Sequence, residues 1–172
     1  MTEKTPLLAW YGDPDLKEQV MAKMKQHRVQ DEFIQGNYQI LDAETASGYK
    51  GCALGCTLEL RPSYISVGDT EWGDSAVIPP ELGWHQEVQS QYGIDRRVAH
   101  LIDTVFEAQE DYREAGDFAV AVIEAIPIGA DLQFIHPLFI GKLYDDDMWS
   151  PKAKAQTLID LLAKAPVPEP VA

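Results

Sequence analysis

Val98, Leu101, Ile102, Val105 and Phe106 recur at i, i+3, i+4, i+7 and i+8, and no other stretch constrains the fold as tightly. That spacing lays five apolar side chains on one face of a helix and leaves the other face to water. Asp95 stands ahead of them as an N-cap, and the spacing predicts a helix running to Glu114 and ending at Gly116. A one-faced helix has to be covered by other elements, so the remaining chain is read for its partners.

The partners read as further helices. Asp13-Pro14 is a cap followed by proline at the first helical position, with Leu16, Val20, Met24 and His27 at helical spacing behind it. Gln35-Gly36-Asn37 ends that helix at the latest, and Ser47-Gly48 marks a turn. A helix from Pro80 through Trp84 and Val88 to Tyr92 closes at Gly93. Asp117 caps an apolar run, Phe118–Ile126, whose length and alanines favour helix over strand. After a turn at Pro127–Asp131, Leu132–Tyr144 is an apolar helix bent or restarted at Pro137. Ser150-Pro151 starts the last helix, with Ala155, Leu158, Ile159 and Leu162 inward. Residues 61–80 are rich in breakers yet apolar in places, and are expected to pack across the domain as irregular chain.

The chain of 172 residues suffices for one sizeable core, and neither a repeat nor a second domain is visible. The expected organisation is a single globular helical domain over residues 1–165 and an extended proline-rich tail over 166–172. Twenty-eight acids against 14 bases give a net charge of −14. Such a chain repels phosphate backbones and anionic membranes, which leaves neutral or basic protein surfaces and small molecules as partners. No apolar run reaches the ~18 residues of a membrane helix, and the opening residues lack the apolar core of an export signal. The expected setting is therefore cytosolic, with both cysteines reduced.

Both cysteines lie in Tyr49-Lys-Gly-Cys-Ala-Leu-Gly-Cys-Thr-Leu58, each directly after a glycine. From Cys52 to Leu60 alternation fits a strand, while the i, i+4 placement of Cys52, Cys56 and Leu60 fits a helix. Helical neighbours favour a short buried helix, with Gly51, Cys52, Gly55 and Cys56 as a small-residue face for close packing. Chemistry is the competing reading. Zinc needs about four ligands, and C-x₃-C supplies two, with His85, His100 or His136 available to complete the set. The spacing departs from the C-x-x-C of redox pairs, and a nucleophilic thiol would need a histidine base. His85 is the first histidine candidate, with Glu87 as an accompanying carboxylate, and His136 reads as a core histidine. Free cysteine is among the most buried residue types, which places packing ahead of metal, nucleophile and redox roles.

Asp103, Glu107, Glu110, Asp111 and Glu114 cluster opposite the apolar stripe if the helix continues to Glu114. They read first as a solvated face and second as a surface for a basic protein partner. Asp145-Asp146-Asp147 lacks the alternating ligand spacing of a calcium loop and reads as a solvated turn. Trp72, Trp84 and Trp149 flank loops and can pack or line a groove.

With its segments laid out, the chain resembles a group of small proteins from bacteria and their phages that have no assigned activity. The resemblance is carried by Lys50–Leu58 (KGCALGCTL), Tyr92–Glu107 (YGIDRRVAHLIDTVFE) and Glu124–Leu132 (EAIPIGADL), and spans roughly residues 33–145. It implies a cytosolic domain of mobile-element origin and brings no catalytic residues.

The sequence thus leads to a mainly α, compact bundle of about six helices with long irregular connections and room for a short strand pair. The expected role is non-enzymatic protein binding without a cofactor, membrane or nucleic acid. The alternative is a thiol- or metal-dependent small-molecule enzyme centred on Cys52, Cys56 and His85.

Overall fold

A computed structural model of the chain describes residues 6–36, 39–58, 83–145 and 150–170. Among these residues it contains six α-helices and one two-stranded antiparallel sheet. The expected mainly helical bundle is what forms.

Helix α1, Pro14–Val29, starts where the sequence places it, with the Asp13 carboxylate accepting from Asp15 N at 2.9 Å. Val20, Met21, Met24 and His27 are its buried residues. Strands β1, Gln39–Leu41, and β2, Tyr49–Gly51, form a hairpin in which Ile40 faces Lys50 across the ladder. Gly48, in the left-handed region at φ 82°, turns the chain into β2.

Helix α2, Trp84–Tyr92, closes on Gly93 at φ 66°. A Cβ built on Gly93 would lie 2.1 Å from the Leu8 carbonyl oxygen, so both conformation and space demand glycine there. The expected start of α2 at Pro80, and residues 61–80, lie outside the described residues, as do Trp72 and Trp149. Helix α3, Arg96–Glu107, is capped by Asp95 and buries Val98, Leu101, Ile102, Val105 and Phe106, the whole expected stripe.

The expected continuation of α3 to Glu114 is corrected. The helix stops at Glu107, and Asp111 caps a new helix, α4, Tyr112–Ala125, by accepting from Arg113 N and Glu114 N. A short carboxylate offers the backbone an alternative to continued helix, and the turn lets α4 lay its apolar face on α1 and α3. Gly116 is accordingly interior to α4. A Cβ there would stand 3.1 Å from Arg28 Cδ and 3.4 Å from the Phe33 ring, so this glycine marks a close approach of the α1 end, not a helix stop.

Helix α5, Ile135–Asp145, carries Pro137 in its first turn, where the missing N–H has no intrahelical acceptor to lose. The expected bend or restart at Pro137 is therefore replaced by an ordinary helix start. Helix α6, Pro151–Ala163, is capped by Ser150 and packs against α4, α5 and α3 through buried Ala155, Leu158 and Leu162. Beyond it, Ala165 is buried and the Pro166 carbonyl accepts from Asp131 N at 2.8 Å.

Chain entry is locked by an unusual turn. Trp10 and Tyr11 both have left-handed backbones, at φ 59° and 48°, a conformation that costs about 1–3 kcal/mol per non-glycine residue. The fully buried Trp10 ring offsets that cost, with Nε1 donating to the Ile126 carbonyl at 3.1 Å.

Candidate functional site

Cys52 through Leu58 leave β2 as a series of tight turns, with Cys56 N donating to the Cys52 carbonyl at 3.1 Å and Thr57 N to the Leu54 carbonyl at 3.0 Å. The short helix expected from Cys52 is thus replaced by turns, as far as the described residues reach. Small side chains let this segment be enclosed from every side, and all residues from Gly51 to Leu58 are buried. Its carbonyls are taken by surrounding side chains. Gln39 Nε2 donates to Gly55, Tyr92 Oη to Thr57, and both Tyr49 Oη and Lys23 Nζ to Leu58.

Both thiols are free and sealed, at 3% exposure for Cys52 and 0% for Cys56. Burial pushes the Cys52 thiol well above its ordinary pKa, and the negative charge of the nearby Asp103 carboxylate pushes further. Burial likewise raises Cys56, with the Glu32 carboxylate adding to it and Lys23 opposing. A thiol held protonated is a poor nucleophile and a poor metal ligand, because the thiolate is the reactive species.

Each cysteine lies beside a histidine–carboxylate pair. On the Cys52 side, His85 Nε2 of α2 is 2.7 Å from Asp103 Oδ2 of α3. These side chains are 20% and 15% exposed, so the pair sits at the edge of the core within reach of solvent. The His100 ring packs edge-on to His85, with centroids 5.1 Å apart. On the Cys56 side, His27 Nδ1 lies 2.5 Å from Glu32 Oε2, and both residues are buried. Ser47 Oγ donates to the same Glu32 oxygen at 2.8 Å. Tyr49 gives its hydroxyl proton to the Leu58 carbonyl, so its 3.2 Å contact with His27 Nε2 is satisfied by a proton on the ring.

Of the candidates from sequence, Cys52 and His85 therefore meet through Asp103, while Cys56 belongs to the His27–Glu32 cluster. Among the described residues no group of three or more His, Cys, Asp or Glu side chains stands as a metal-ligand set. His136 is half-buried on α5, so the expected core histidine is partly open to solvent. Glu87 accepts from Gln91 Nε2 at 2.7 Å. Asp145 ends α5, and Asp146 and Asp147 lie outside the described residues.

The expected single acidic face is divided by the break between α3 and α4. Asp103 turns inward to His85, and the Glu107 carboxylate accepts from Gly36 N at 2.8 Å. Glu110 lies in the connection, Asp111 is the α4 cap, and Glu114 is in the first turn of α4. Glu107, Glu110, Asp111 and Glu114 are exposed and form an acidic corner. No local pattern in the sequence marks Glu32, Tyr49 or the inward role of Asp103. His27 on the α1 stripe was the one available signal, because a histidine among buried apolar positions needs a polar partner.

Comparison with protein-family models, curated proteins and solved structures returns no match to this chain. Among the described residues no helix is long and apolar enough to cross a membrane.

Proposed function

We propose that this chain acts by binding a protein that presents a basic surface, in the cytosol of a bacterium or of a phage-infected cell, and that it has no catalytic role. The carrying observation is the acidic corner where α3 gives way to α4, with Glu107, Glu110, Asp111 and Glu114 all exposed. Arg113, the base among them, is occupied with its neighbour Tyr112, its guanidinium 5.7 Å from the ring centroid. A net charge of −14 adds a long-range field that draws in basic partners and repels nucleic acid. The sealed, protonated thiols weigh against the alternative of thiol chemistry.

The test is a pull-down from a native host at low and high salt, with the wild type and a Glu107→Gln/Glu110→Gln/Glu114→Gln variant. Asp111 is left intact to preserve the cap. A partner captured at low salt, released at high salt and lost with the variant supports the reading. No partner at either salt, or capture indifferent to the variant, removes it.

A second reading, a small-molecule activity centred on Cys52, Cys56 and His85, is favoured by one observation, the His85–Asp103 pair beside Cys52. Unchanged stability and loss of a measurable turnover in Cys52→Ala and His85→Ala would support it.

A further inference from the structure

We propose that residues 165–170 are a docking segment for a partner protein whose groove is lined by aromatic side chains and carries a base. The segment reads Ala-Pro-Val-Pro-Glu-Pro, so every residue in it is either a proline or the residue before one. Proline holds φ at about −65°, and its ring pushes the preceding residue out of the helical region into extended backbone. The whole segment is thereby biased toward the polyproline II helix, with roughly three residues per turn and a rise of about 3.1 Å each.

The segment reaches solvent from a fixed base. Helix α6 ends at Ala163, Ala165 is buried, and the Pro166 carbonyl accepts from Asp131 N at 2.8 Å. From there residues 166–170 belong to no helix or strand, and all of them are exposed. Val167 lies over the turn at Gly129, where a built Cβ would stand 3.7 Å from Val167 Cγ1 and 3.9 Å from Gly12 Cα. Tyr11 and Ile128, next in sequence to those two glycines, are 53% and 37% exposed, which gives the segment an apolar margin. A chain already extended and tied at one end loses little freedom on docking, and that low cost is what makes polyproline segments good ligands.

The same features define the partner. Alternate prolines remove every second backbone donor, which spoils one edge for strand pairing and leaves ring faces and carbonyls to be read. Flat aromatic side chains fit proline rings, and Trp or Tyr can also donate to a carbonyl. Glu169 is the one charge in the segment, and a chain of −14 repels an acidic groove, so a lysine or arginine belongs beside the rings. This surface lies apart from the acidic corner. Gln109, next to Glu110, donates to the Pro151 carbonyl at the start of α6, whereas the segment leaves the far end of that 13-residue helix, about 20 Å away. The proposal rests on the reading that the chain binds a protein, and it adds a second surface with its own chemistry.

The full-length chain is used as bait in a native host lysate at high salt, where the acidic corner is screened. A captured protein is purified and titrated by calorimetry with the wild type, Pro168→Ala/Pro170→Ala, Glu169→Lys and the Glu107→Gln/Glu110→Gln/Glu114→Gln variant. A synthetic peptide of residues 164–172, which contains no tryptophan, serves as competitor. Affinity should fall roughly tenfold in the double proline variant, less in Glu169→Lys, and hold in the acidic-corner variant. The peptide should displace the chain and change the partner's tryptophan emission. These substitutions fall on exposed residues, so thermal midpoints should match the wild type. No partner at high salt, affinity equal to wild type in either tail variant, or a peptide that fails to compete overturns the proposal. A partner held only at low salt and lost only with the acidic-corner variant also overturns it, while supporting the acidic-corner reading.

Discussion

The Glu32 carboxylate, fully enclosed, accepts from Ser47 Oγ on the oxygen that lies 2.5 Å from His27 Nδ1. Substituting it leaves the buried His27 ring and the Ser47 hydroxyl without the carboxylate they face, and breaking such a close buried pair costs about 3–5 kcal/mol. Glu32→Gln should therefore lose about 3 kcal/mol or more in urea unfolding, and the Cys56 thiol behind it should become reactive to an aromatic disulfide reagent. The thiols carry a second expectation. Their folded pKa values are raised, so above pH ~9 the unfolded chain gives up thiol protons that the folded chain keeps. Alkali then favours unfolding. Stability should fall by up to about 1.4 kcal/mol per pH unit per thiol above pH ~9, and the slope should be shallower in Cys56→Ala.

At the scale of the elements, helix ends and crossings decide which substitutions are felt. Asp111→Ala removes the cap that starts α4 and should cost about 1 kcal/mol. Gly93→Ala meets both a left-handed backbone and the Leu8 carbonyl, and should cost more than about 2 kcal/mol. Gly116→Ala should differ sharply. Its added methyl meets the movable Arg28 side chain, and a helix interior gains about 1 kcal/mol from alanine, so the net change should stay within about 1 kcal/mol. Chemical denaturation of the three variants checks the ranking. From sequence alone the two glycines looked alike as helix stops. The tertiary structure separates them, through the Leu8 carbonyl at the left-handed Gly93 and the end of α1 at Gly116.

For the molecule as a whole, the charge of −14 sets a self-repulsion that the fold has to overcome. Screening that repulsion should raise the thermal midpoint as sodium chloride increases from about 10 mM to 150 mM, over which the Debye length shrinks from ~30 to ~8 Å. A midpoint that falls with salt would mean that local ion pairs such as Arg28–Asp117, 2.6 Å apart, outweigh the global field.

The sequence determined the helices whose signals are local. Asp13-Pro14, Asp95, Gly93 and Ser150-Pro151 mark their ends because a cap bonds within three or four residues, and the α3 stripe shows because its period is built into the helix. It also singled out Cys52 and His85, which do share a neighbour. Tertiary structure alone decided that this neighbour is Asp103, 18 residues from His85, and that Glu32 turns inward to His27. It decided, too, that Cys52–Leu58 turns and that α3 stops at Glu107. Small residues carry no clear period, and an acid reads as solvated until packing shows what it faces. Which carboxylates are buried depends on how α2, α3 and the cysteine turn come together, and no short-range pattern encodes that.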